Sequence, residues 1–90
     1  MGVVRGNSVA DALGVGIFCG DFSVCEIDRN AVIGTTADAS SGDKTRAGHP
    51  IVSHFGAKAT LGKNELAENA AGVAAYIDAT IEHRSRNTDG

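Results

Sequence analysis

Apolar residues in the last third of the chain recur every three or four positions, which is the spacing of one face of an α-helix. A helix over residues 64–84 would carry five of them on one stripe: Leu66, Ala70, Val73, Ile77 and Ile81. Because such an amphipathic helix is not stable alone in water, its stripe must pack against another helix or another chain. The stripe is therefore the predicted interaction face.

The residues at both ends of this segment also favour a helix. Asn64 is a suitable N-cap, and Glu65 and Glu68 would lie in the first turns. His83 and Arg84 would lie in the last turn, where positive charge interacts favourably with the helix dipole.

Two further helices are predicted nearer the start of the chain. Residues 8–18 begin with a weak capping box formed by Ser8 and Asp11. Asp21 could cap a second helix over residues 22–36. Residues 32–36 are rich in β-branched side chains, so a strand is the open alternative there.

The middle of the chain is rich in turn-forming residues. Residues 37–49 contain Ser, Gly and Asp and predict a solvated loop, and Pro50 suits the first turn of a short helix over 51–61. Residues 1–7 and 86–90 are predicted to be flexible ends. The sequence thus predicts one domain over residues 1–90, mainly α, as a helical hairpin or small helical bundle, with a small α+β domain as the alternative.

Composition narrows the classes of function. The 90 residues are 42% hydrophobic but only 4% aromatic, so the core must be built from small aliphatic side chains and would gain stability from a partner. A net charge of −3 with scattered basic residues argues against nucleic-acid binding. No stretch is apolar for the roughly 20 residues of a membrane span, and Asp11 interrupts what would be the apolar region of a signal peptide.

No catalytic, cofactor-binding or metal-binding residue is predicted. Cys19 and Cys25 would lie about 9 Å apart along one helix, which favours two free thiols, whereas in a looped segment they could form a disulfide. A nucleophile formed by either cysteine with His54 and Asp21 lacks a spacing that would fix its geometry. The three histidines have no zinc-site spacing, and the glycines around Val15 lack the strand and helix of a dinucleotide site.

Two stretches resemble the small actinobacterial helical-hairpin proteins associated with type VII secretion, namely the Trp-x-Gly proteins and their EspC-like relatives. They are the Gly-Asp-Phe sequence within residues 18–24 and the Ala-rich residues 66–78, together about a quarter of the chain. The chain has His54-Phe55-Gly56 rather than Trp-x-Gly, and Thr80 stands where the export signature has an acid, after Tyr76 and three intervening residues. The resemblance implies a helical hairpin exported with a partner.

Three hypotheses for function follow. The first is a non-enzymatic helical interaction protein that pairs with itself or with another helical protein and is exported by a type VII-like route. The second is a small intracellular thiol-based catalytic or redox module that uses Cys19 and Cys25. The third is a structural or regulatory subunit. The expected location is either outside the cell, without a conventional signal peptide, or the cytoplasm.

Overall fold

The described part of the chain contains eleven short β-strands and no α-helix. The computed structural model describes residues 2–38, 40, 46–83 and 88–89. The prediction of a mainly α protein is therefore wrong, and so is the helical hairpin. The predicted flexible segments lie partly outside the described residues, at 1, 39, 41–45, 84–87 and 90.

The strands form three parallel sheets. The first sheet contains β1 (Gly2–Arg5), β4 (Val24–Asp28), β7 (Lys58–Leu61) and β10 (Thr80–His83), in that order. The second contains β2 (Ser8–Ala10), β5 (Ala31–Ile33), β8 (Glu65–Ala67) and β11 (Thr88–Asp89). The third contains β3 (Val15–Cys19), β6 (His49–His54) and β9 (Ala74–Tyr76).

This topology is a parallel β-solenoid, in which the chain visits the three sheets in turn and then repeats. We call each circuit a rung: β1–β3, β4–β6, β7–β9, and β10 with β11. In the first sheet Gly2 lies opposite Cys25, Cys25 opposite Ala59, and Ala59 opposite Ile81, which are steps of 23, 34 and 22 residues.

The longer second step is explained by an insertion in the second rung. Thr36 pairs with Leu13 at the short spacing, whereas the Gly48 amide donates to the Gly14 carbonyl at the long one. The extra residues therefore lie between Thr36 and Gly48. The Ser40 hydroxyl and the Arg46 guanidinium bind the Asp38 carboxylate, and these contacts lower the pKa of Asp38.

The core is built from columns of equivalent side chains in successive rungs. Ile27 lies opposite Leu61, Val32 lies opposite Leu66, and all four are almost completely buried. Burying such side chains contributes on the order of 1.5–3 kcal/mol each. The residues predicted to form helices over 22–36 and 51–61 instead form strands, because their apolar side chains satisfy this stacking.

Sharp corners separate the sheets, and residues with positive φ form them. Asp11, Gly34 and Glu68 occupy the same corner in the first three rungs, with φ of 57°, 77° and 56°. Asp tolerates this left-handed conformation better than most side chains. Asp11 and Asp21 are therefore corner residues, and neither caps a helix.

The five residues of the predicted interaction face do not form one stripe. Leu66 is in the core, and the half-buried Val73 and Ile81 pack against it. Ala70 and Ile77 are exposed. The strand alternative for residues 32–36 is correct for Val32 and Ile33, which end β5. No helix in the described residues is both long and apolar enough to cross a membrane.

Candidate functional site

A ladder of asparagines runs along the corner between the first and second sheets. Asn30 is 1% exposed, and its side-chain oxygen accepts hydrogen bonds from the backbone and side-chain nitrogens of Asn7. The Asn30 side-chain nitrogen donates to the Val4 carbonyl and to Asn64 Oδ1, both within 3.0 Å. Asn64 in turn donates to the Ile27 carbonyl at 3.1 Å. The predicted helix cap Asn64 is thus a buried structural residue whose amide satisfies the backbone of a tight corner.

Exposed aromatic side chains gather at a second corner, between the third and first sheets. We call this surface the aromatic corner and define it by Phe18, Phe22, His54, Phe55 and Ile77. The Phe22 and Phe55 ring centroids are 5.3 Å apart in an edge-to-face arrangement, and Phe18 lies 5.6 Å from His54. Ring pairs at such distances attract each other beyond the effect of their buried area.

The backbone of the aromatic corner explains why its apolar side chains face solvent. Three equivalent turns contain two consecutive residues of positive φ each: Asp21 with Phe22, Phe55 with Gly56, and Ile77 with Asp78. A Cβ on Gly56 would lie 2.6 Å from the Phe22 ring, so glycine is required for that ring to cover the backbone. Positive φ is rare for a β-branched residue such as Ile77, and such outliers occur where function or packing requires them.

A small open cavity lies within the aromatic corner. Its volume is about 70 Å³, and it is lined by Phe22, Phe55, Gly56, Ile77 and Asp78. No ion pair among the described residues involves Asp78 or the neighbouring Asp21. The cavity therefore combines two aromatic rings, an aliphatic side chain and an unneutralised carboxylate.

A disulfide between Cys19 and Cys25 staples the first turn of the aromatic corner, with the two Cα atoms 6.3 Å apart. The expectation of two free thiols is therefore wrong, because the segment is a corner between strands and not a helix. The thiol-based hypothesis would have to start from a disulfide whose Cys19 is only 2% exposed. Exchange at such a bond requires access for an attacking thiolate.

His49 holds the third rung against the second. Its Nδ1 lies 2.6 Å from the Gly72 carbonyl oxygen and its Nε2 lies 2.7 Å from the Tyr76 hydroxyl. Because a carbonyl only accepts, Nδ1 carries the proton, and in the neutral ring Nε2 accepts the hydroxyl proton of Tyr76. His54, by contrast, is part of the aromatic corner and lies near Phe18. His49 begins β6 and does not border a free loop.

A larger polar cavity, of about 360 Å³, lies beside the asparagine ladder. Its charged residues largely neutralise each other, since Asp28 lies 3.6 Å from both Arg5 and Arg29. The backbone amide of Lys63 also donates to Asp28. Within the described ranges, no group of three His, Cys, Asp or Glu residues could hold a metal ion.

Comparisons with protein-family models, with curated proteins and with solved structures find no match. The resemblance to type VII secretion proteins thus stays a prediction, and the helical hairpin that it implied is replaced by a β-solenoid.

Proposed function

We propose that the chain is a non-catalytic structural module, a rigid β-solenoid that associates with a second copy through its first rung. The observation that carries this proposal is the exposure of the core at that end. Val4 and Val9 are only half-buried, whereas Ile27 and Val32, their partners in the second rung, are fully buried.

The backbone at this end supports the same proposal. The three strands of the first rung, β1, β2 and β3, are all edge strands of their sheets. Edge strands present unpaired amides and carbonyls that readily pair with another chain. Another rung of the same outline would satisfy all three edges together and would cover Val4 and Val9.

A second copy in head-to-head orientation is the occupant that fits best. Both partners would then contribute the same apolar end, as a two-fold interface requires. The last rung is less suited to this contact, because the side chains of Thr80, Glu82 and His83 on β10 are exposed and polar. A head-to-head contact closes on itself, so the expected product is a dimer and not a fibre.

The proposal predicts that Val9→Lys abolishes dimerisation while the fold survives. The aliphatic stem of the introduced side chain can lie along the apolar end while its ammonium stays in water, but a second copy would bury that charge. Sedimentation velocity over a concentration series should show the parent approaching twice the monomer mass and the variant remaining monomeric.

The matched control is Glu65→Lys, an exposed position on β8, which is flanked by strands on both sides. It changes the charge in the same direction without touching the first rung, so it should dimerise like the parent. A parent that stays monomeric at high concentration, or a Val9→Lys variant that dimerises normally, would contradict the proposal.

A further inference from the structure

The aromatic corner carries a second inference, independent of the first rung's end surface. We propose that the cavity between Phe22, Phe55, Ile77 and Asp78 binds the methylated ammonium head of an organic cation. The cavity is small, open, and lined by both ring and carboxylate groups.

The aromatic side chains provide the first part of the argument. A cation within about 6 Å of a ring centroid is attracted to the negative face of the ring. Phe22 and Phe55 stand nearly perpendicular, at 82°, so a group in the angle between them meets the face of one ring and lies beside the other. Phe22 is 72% exposed, which leaves its ring available to a ligand.

Electrostatics provides the second part. Asp78 lines the cavity and Asp21 belongs to the neighbouring turn, and neither has an ion pair among the described residues. No Lys or Arg of the described residues lines the cavity. Because unlike charges at short range attract appreciably near a protein surface, this corner favours a cation over an anion or a neutral ligand.

The lining also distinguishes between kinds of cation. A primary ammonium is a compact, strongly hydrated charge that needs hydrogen-bond acceptors. Among its described side chains, the cavity offers only the Asp78 carboxylate as an acceptor, and Ile77 with the two rings provides an apolar wall. Methyl groups on nitrogen pack against that wall without losing hydrogen bonds. A volume of about 70 Å³ suits a head group at the cavity mouth, with the rest of the molecule outside.

Tetramethylammonium chloride is the probe that tests this proposal. Titrated into the 15N-labelled chain at constant ionic strength, it should shift the backbone amide resonances of residues 22, 55–56 and 77–78 in a saturable manner. tert-Butanol, a neutral molecule of similar shape, should shift them much less, and methylammonium should bind more weakly than tetramethylammonium.

Asp78→Asn and Glu65→Gln form the matched pair of variants. Asn tolerates the positive φ of Asp78, so the fold should be retained, but binding should weaken by about threefold because the carboxylate charge is lost. Glu65→Gln removes the same charge from an exposed site outside the cavity and should bind like the parent.

Several results would overturn the proposal. They are an absence of saturable shifts, equal effects of tert-butanol and the cation, and equal weakening in the two variants. Shifts of these same amides that depend on protein concentration without any probe would also overturn it, because they would assign the aromatic corner to contact between copies of the chain.

Discussion

Replacing Asn30 by Ala is expected to destabilise the protein by about 3 kcal/mol, because it breaks the centre of the asparagine ladder. Asn30 is 1% exposed, and its side chain bonds to groups in the rungs on both sides. Truncation leaves the Val4 carbonyl, the Asn7 amide and Asn64 Oδ1 without these partners. Each buried group that is left unsatisfied costs about 1–3 kcal/mol, reduced where water enters.

Urea denaturation of the parent and the variant measures this loss. Asn7→Ala is the matched control, because Asn7 is exposed at the end of the same ladder. It should cost no more than about 1 kcal/mol. Equal losses at the two positions would show that Asn30 is not a buried link between rungs.

Replacing Leu66 by Ala is expected to cost about 2–5 kcal/mol, whereas Ile77→Ala should cost less than about 1 kcal/mol. Leu66 is 1% exposed within the core cluster, and Ile77 is 58% exposed at the aromatic corner. The helix prediction places both on one buried stripe and expects comparable losses. Denaturant midpoints of the two variants therefore separate the solenoid from the helix, and a large loss for Ile77→Ala would contradict the solenoid.

The helical prediction failed because a solenoid can imitate helical spacing. Leu66, Val73 and Ile81 are separated by seven and eight residues, which corresponds to two turns of a helix. In the structure these three residues lie in or beside three different strands or turns, and each contributes to the core from there. Ala70 and Ile77 completed the apparent stripe, although both are corner or surface residues.

A signal for the correct fold is present in the sequence. An apolar residue, two others, Asn, one other and an apolar residue recur at Val4–Val9, Ile27–Val32 and Leu61–Leu66. This repeat marks the first-sheet strand, the ladder Asn and the second-sheet strand of each rung. The insertion makes its period irregular, at 23 and then 34 residues, and a search for internal repeats before local periodicity would have found it.

The candidate site was harder to predict than the fold. Phe22, Phe55 and Ile77 are not neighbours in the sequence, and only the stacking of equivalent corners brings them together. The disulfide was recognised as possible for a looped segment, but the helix prediction placed the two cysteines too far apart. Both errors have one cause, because the corners exist only when the rungs do.

The most direct test of the solenoid is a measurement of methyl–methyl nuclear Overhauser effects among Val9, Val32 and Leu66. These residues lie opposite each other in β2, β5 and β8, although 23 and 34 positions separate them in the chain. The structure predicts cross-peaks between Val9 and Val32 and between Val32 and Leu66. Their absence, together with the short-range amide cross-peaks of a continuous helix over residues 64–84, would contradict the β-solenoid.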